Sequence, residues 1–240
     1  MKKYVLALML LPLVSNAQLK DLLGKASDAV KSKTGTTGLS TTDISKGLKE
    51  ALQKGVEKEV TKLTATDGFY KNEVVKILLP AELQKVDNTL RKMGMSKLAD
   101  EGIKVLNRAA EEAVKEAVPV FTDAITKMTI TDAKNILMGD DRAATSYLEK
   151  SSSETLYAKF NPVVVSSLDK VGANKVWAGL IQKYNSLPMV SKVNADLDDY
   201  VTSQAMAGVF KMIAVEEKNI RNNLASRTSG LLKKVFALQD

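Results

Sequence analysis

The chain has 240 residues, 45% of them hydrophobic, 26% charged and 5% aromatic, with a formal net charge of +7 and neither cysteine nor histidine. Those two absences remove Ser-His-Asp and Cys-His nucleophilic sites, Cys/His zinc sites, His-ligated haem and carboxylate-histidine di-iron centres, so any catalysis would fall to Asp, Glu, Lys, Tyr or Ser. Sparse aromatic residues and scattered basic ones argue against nucleic acid as a partner and leave at most weak attraction to an anionic surface.

The first segment, MKKYVLALMLLPLVSNA, sets two lysines before an apolar run from Tyr4 to Val14 and closes on Ser15-Asn16-Ala17. Small residues at the two positions a signal peptidase reads predict a signal peptide over residues 1–17. The apolar run is shorter than the roughly 20 residues that span a bilayer, which favours a cleaved signal over a retained anchor. A mature chain of 223 residues would begin at Gln18, carry a net charge of +5 after losing Lys2 and Lys3, and have no transmembrane segment. Its predicted location is the periplasm or the outside of a bacterial cell. Disulfides would persist there, yet none can form, so stability has to come from packing.

Beyond the signal, apolar residues recur every three or four positions and alternation with a period of two is nearly absent, which predicts an all-α fold. Residues 18–39 form an arm: an amphipathic piece, Leu19 to Val30, followed by the Gly/Thr-rich linker KSKTGTTGLS. Residues 40–240 form the helical domain. Ser40 and Asp43 make a capping box, followed by the apolar line Ile44, Leu48, Leu52, Val56, Val60 and Leu63. TATDGFY ends that helix. Pro80 suits the first turn of a helix carrying Leu83, Val86, Leu90 and Met93, with Gly94 as its left-handed cap.

A long helix is predicted from about Ser96, bent or split at Pro119. Thr129 and Asp132 cap a short helix stopped by Gly139, and Asp140 starts another through Tyr147. Asn161-Pro162 and Asn174 open two more, the second containing Trp177. A long helix over Asp196 to Asn222 and a terminal one over Thr228 to Leu238 complete eight to ten helices, with no internal repeat.

Two of these helices are expected to lie in the interior. In LNRAAEEAVKEAVPVFTDAI the line Asn107, Glu111, Val114, Val118, Phe121, Ile125 advances by fours and threes, so an amide and a carboxylate point where four apolar side chains point. A neighbouring line of Ala110, Ala113, Ala117 and Ala124 permits close approach of another backbone. From Ala205 to Val215 only Lys211 is neither apolar nor glycine, so the Asp196 to Asn222 helix is enclosed too, with Gly208 marking a close crossing. The candidate polar network, or ligand site, is therefore Asn107, Arg108, Glu111, Glu216, Glu217, Arg221 and Arg227. Arg108 lies within reach of Glu111 or Glu112, and Glu217 precedes Arg221 by four, the favourable order for an in-helix pair. One reading makes these a buried amide and acid tied to other helices beside solvated pairs. The other has Glu111, Glu216 or Glu217 meeting Arg221 or Arg227 between the two enclosed helices.

No catalytic residue, metal site or cofactor is predicted. GKASDAVKSKTG lacks P-loop spacing. NADLDDYVT alternates Asn194, Asp196 and Asp198 like a calcium loop, but Asp199 stands where that loop needs Gly and Ala205 where it needs Glu, so helix capping explains the acids.

Several ordered motifs, GLKEALQKG at Gly47, DGFYKN at Asp67, ILLP at Ile77, LNRAAEEA at Leu106, MTITDAKNILMGDDRAATSYL at Met128, DDYVT at Asp198 and EEKNIRNNLASRTSGLLKKVF at Glu216, resemble a family of exported bacterial proteins defined only as a domain of unknown function. The likeness runs from about Ile44 to Phe236 and implies a secreted, all-helical, single-domain protein with no implied activity. Leu224 stands where that family often has a proline. Three functions are compatible with these residues: a non-catalytic module that binds a protein or another envelope component, a helical carrier of a lipid or other apolar ligand, and a glycan hydrolase using two carboxylates such as Glu111 and Glu216.

Overall fold

A computed structural model describes residues 40–84, 88, 91–92, 94, 96–175, 178, 182, 196–227 and 229–237. The chain divides into units 1–39 and 40–240, and every described residue belongs to the second. The predicted signal, the arm, most of the helix expected after Pro80 and the Trp177 segment lie outside the described residues. Within them the structure is helical, without a strand.

The first helix, α1 (Thr41–Thr64), begins at the Ser40/Asp43 capping box, in which each residue's side chain accepts the other's backbone N–H at 3.1 Å. Its inner line of Leu48, Leu52, Val56, Val60 and Leu63 is buried. Pro80 is followed by a short 3-10 turn, Ala81–Leu83, and Gly94 adopts φ +77°, the left-handed conformation that suits a glycine cap.

The long rod from Ser96 is split, though not at the proline. Helix α2 (Ser96–Ala113) passes through a 3-10 turn, Val114–Glu116, into α3 (Ala117–Lys127), so Pro119 stands in the first turn of α3. The reason is that a proline ring crowds the carbonyl four residues earlier and offers it no N–H. The disturbance therefore appears around Lys115, one turn upstream, and the proline itself occupies a position where a missing donor costs little. Helix α4 (Ile130–Leu137) starts on the Thr129/Asp132 capping box, as its sequence signals.

Helix α5 (Ala143–Lys170) corrects two expectations, because it neither stops near Tyr147 nor restarts at Pro162 but runs through the proline as one element. Leu148, Ser152, Leu156, Phe160, Val164 and Leu168 form an unbroken buried stripe at four-residue spacing, while Pro162 is exposed. A proline inside a helix costs roughly 3 kcal/mol, whereas each large apolar side chain on that stripe contributes about 1.5–3 kcal/mol by burial. Continuity of the stripe therefore wins.

Helix α6 (Leu197–Asn222) is capped by Asp196, whose side chain accepts the Asp199 N–H at 2.9 Å, which accounts for the acids of NADLDDYVT. A short turn leads to α7 (Gly230–Phe236), capped by Ser229 rather than starting at Thr228. Helix α5 packs along α6 and α2, while α1 lies against α3, α4, α6 and α7. Complete buried stripes thus occur on α1 and α5 as well as on α6, and the interior is shared more widely than between two rods.

Between α1 and the 3-10 turn the chain crosses the interior without regular structure. Residues 76–80 are extended, with Ile77 and Leu79 buried and Leu78 exposed, a short stretch of period two with no partner strand among the described residues.

Candidate functional site

The seven candidate residues fold into separate networks rather than one. Asn107, fully buried, works like a strand partner for the extended segment: its Oδ1 accepts the Ile77 N–H at 2.8 Å and its Nδ2 donates to the Ile77 carbonyl at 2.8 Å and to the Ile103 carbonyl at 2.7 Å. One turn on, Glu111 Oε1 accepts the N–H groups of Phe69 and Tyr70 at 3.1 and 3.4 Å, and its Oε2 is bonded by Arg108. Arg108 also bonds Asp67, which pairs with Lys71 at 2.8 Å. Asp67 sits at φ +70°, a conformation Asp tolerates better than most side chains, and turns the chain toward Phe69. Hydrogen bonds from Lys71 and then Arg108 hold the Asp67 carboxyl below its ordinary value, while the Glu111 and Asp67 bonds push the Arg108 guanidinium up. The amide and acid of α2 are thus tied to backbone of an irregular segment, and not to other helices as expected. Gly208 completes this corner: a Cβ there would lie 2.7 Å from Phe69 Cε1, so the close crossing is between α6 and the loop.

The second network sits at the other end of α6. Glu217 accepts the N–H groups of Ala144 and Thr145 at 2.9 and 2.8 Å and the Thr145 hydroxyl at 2.8 Å. Helix α5 has no side-chain cap of its own at Arg142; Asp140, expected to cap it, instead accepts the Arg142 N–H at 2.9 Å within the preceding turn. Arg221 donates to Glu217 at 3.0 and 2.9 Å and to the carbonyls of Ile136 and Leu137 at 2.8 and 3.2 Å. One ion pair on α6 therefore closes the C-terminus of α4 with a cation and the N-terminus of α5 with an anion, the signs that both helix dipoles favour. Its side chains are 5% and 6% exposed, so it is not the solvated pair that sequence spacing suggests. Arg227 donates to the Ile220 and Arg221 carbonyls at 3.1 and 2.8 Å and lies 5.6 Å from the Phe236 ring centre, closing the end of α6.

Glu216 belongs to neither group; both its oxygens accept from Lys58, at 2.7 and 2.6 Å. Beside the Glu217–Arg221 pair lies a mostly apolar cavity of about 30 Å³ lined in part by Leu52, Ile213 and Ile220, room for one or two waters. Glu111 and Arg108, by contrast, border an open cleft of about 510 Å³ on the outer side of α2.

Glu59 was missed by the sequence reading. Its side chain is 2% exposed; Lys62 bonds one oxygen at 2.5 Å, and the other has no hydrogen-bond partner. The available signal was its place seven residues after Leu52 and three after Val56, on the inner face of α1. Among the described residues no group of His, Cys, Asp and Glu is placed to hold a metal ion, and no helix is long and apolar enough to cross a membrane.

An all-helical domain whose buried ionic groups terminate helices and pin a loop is the class of protein defined by this arrangement. A family model described as a protein of unknown function, DUF4197, matches residues 38–237, and the chain belongs to that family. No curated protein and no solved structure matches it.

Proposed function

We propose that this chain is an exported, non-catalytic binding module of the bacterial cell envelope, built on a multi-helix domain. The observation that carries this reading is the saturation of the candidate carboxylates by donors within the fold. Glu217 holds five hydrogen bonds, Glu111 is bonded through both oxygens by backbone and Arg108, and Glu216 is clamped by Lys58. A general acid or nucleophile needs a lone pair or a proton facing substrate, and these are engaged elsewhere. The carrier reading draws little support, since the mostly apolar cavity measures only about 30 Å³ and the larger cleft outside α2 is open and lined by charged side chains. Export rests on the basic start, the apolar run and the Ser15-Asn16-Ala17 terminus of the leader.

Two measurements test this. The mass of the protein recovered from a bacterial periplasm or medium should correspond to a chain starting at Gln18, and recovery of the uncleaved chain in the cytoplasm would overturn export. The purified chain should be retained by sedimented cell-envelope fractions and show no turnover of envelope glycans. Turnover that disappears in Glu111→Gln, or wild-type protein that fails to co-sediment, would overturn the module.

A further inference from the structure

The cleft outside α2 is bounded by the end of α1 and the last turn of α5. Lys104 and Arg108 stand one turn apart on α2, and Lys115 follows in the 3-10 turn that joins α2 to α3, so the three line the cleft over about 16 Å. Lys170 stands opposite, at the end of α5. Against these cations the cleft sets Glu101 and Glu112, since the Glu111 carboxylate is used up inside the wall.

The lysines are weakly committed, whereas Arg108 is already held by Glu111 and Asp67. Lys104 reaches Glu101 only at 3.5 Å, and the Lys115–Glu112 pair has both side chains 53% exposed, a kind of pair worth about 0–1 kcal/mol. Lys170 takes part in no ion pair among the described residues. Between the charges lie Val105, Ala109 and Val171, the last 59% exposed, with the hydroxyls of Thr64, Thr66 and Ser167 at the edges. No aromatic ring lines the cleft, so nothing there stacks on a base or a sugar.

Deepening the binding-module reading, on which it rests, we infer that this cleft takes an extended acidic peptide, carboxylates on Lys104, Lys115 and Lys170 and small aliphatic side chains against Val105, Ala109 and Val171. The spacing fits. Lys104 and Lys115 are separated by a rise of about 16 Å, the length of about five residues of extended chain, so a short peptide carrying several acids reaches both. Glu101 and Glu112 face backbone N–H groups or a terminal ammonium, which a pure polyanion lacks.

The test is fluorescence anisotropy of the purified full chain with a labelled peptide alternating Ala and Glu, against the same peptide with Lys for Glu. The acidic peptide should bind saturably and its Lys counterpart should not. Lys104→Glu with Lys170→Glu should weaken binding by about tenfold or more, the equivalent of some 0.7 kcal/mol at each lysine. Lys127→Glu with Lys134→Glu, outside the cleft and of equal charge change, should shift it less than about twofold. Circular dichroism confirms that each variant is folded. Equal weakening by both double variants, or equal binding of both peptides, overturns the cleft as the site. If the cleft variant still co-sediments with envelope fractions as wild type does, the peptide inference falls and the broader module stands; if wild type itself does not co-sediment, the module falls.

Discussion

Replacing Glu217 by Gln changes one oxygen into an amide nitrogen and little else in shape, yet it strikes five hydrogen bonds at once. The N–H groups of Ala144 and Thr145 lose a charged acceptor, the new amide hydrogens face donors, and Arg221 is left as a buried cation beside the α4 carbonyls. Removing one partner of a buried pair typically costs about 3–5 kcal/mol, against about 0–1 kcal/mol for an exposed one. For a chain of this size that cost corresponds to a fall in Tm of about 6–20 °C. Arg221→Met should cost a similar amount, because it takes a charged donor from the Ile136 and Leu137 carbonyls and leaves Glu217 uncompensated. The double variant removes both charges together, so it should be less damaging than the sum by about 2 kcal/mol or more. Urea unfolding followed by far-UV circular dichroism on the four proteins of the cycle measures this directly. Additivity within about 0.5 kcal/mol, or a loss below about 1 kcal/mol for Glu217→Gln, would refute the view that one internal ion pair joins two helix ends.

Three further outcomes follow from the same geometry. Asn107→Ala removes the side chain that bonds both polar groups of Ile77 and should cost about 2–4 kcal/mol; amide hydrogen exchange should quicken at Ile77 well before it changes in α5, and uniform quickening would deny the local tie. Gly208→Ala drives a methyl against the fully buried Phe69 ring and should lower stability by about 1–3 kcal/mol, an effect that Phe69→Leu in the same chain should partly relieve; a neutral Gly208→Ala would mean that the crossing is loose. Asp43, Asp67 and Asp132 are all held below the ordinary carboxylate value of 3.8, by Ser40, by Lys71 then Arg108, and by Thr129 respectively. Because their folded values lie below the unfolded ones, their contribution is full above 3.8 and disappears as pH falls through the folded values, so Tm should drop in that acid range and drop less in the triple Asp→Asn variant. An unchanged acid limb in that variant would reject the assignment.

Much of this architecture was legible because it is local. The Ser40/Asp43 and Thr129/Asp132 boxes, the Asp196 start of α6 and the apolar line of α1 are properties of residues three or four apart. Misreadings arose where a local signal met a longer one. Asn161-Pro162 resembles a helix start, but the stripe from Leu148 to Leu168 passes through it, and a stripe of that length outweighs one lost hydrogen bond. The site was half legible. Burial of Asn107 and Glu111 followed from periodicity, since both lie on the enclosed line of α2, whereas Glu217 and Arg221, spaced like a solvated pair, are buried too. The in-helix partners, Arg108 for Glu111 and Arg221 for Glu217, were legible from spacing, but the backbone partners were not, because the N–H groups of Ala144 and Thr145 lie more than seventy positions from Glu217, and no spacing rule connects a carboxylate to a helix end that far away.

That distance also explains why the domain manages without a disulfide. A cystine in an exported protein ties two remote segments and is indifferent to their local conformation. Here the tie is made by the last turns of α6, and it exists only if α4 has ended where Arg221 meets its carbonyls and α5 has begun where Glu217 meets its N–H groups. The pair therefore checks the register of three helices at once, and a slip of one residue in any of them leaves a buried charge facing the wrong group. Asn107 and Glu111 do the same for the segment between α1 and the 3-10 turn, whose own backbone bonds only close local turns such as Lys71 to Asp67 and Lys76 to Asn72. Carboxylates and guanidiniums used in this way are costly to bury and gain little net stability over apolar side chains of equal volume. What they contribute is a single arrangement of the helix ends, and that arrangement fixes where the exposed face of α2 and the end of α5 stand on either side of the open cleft.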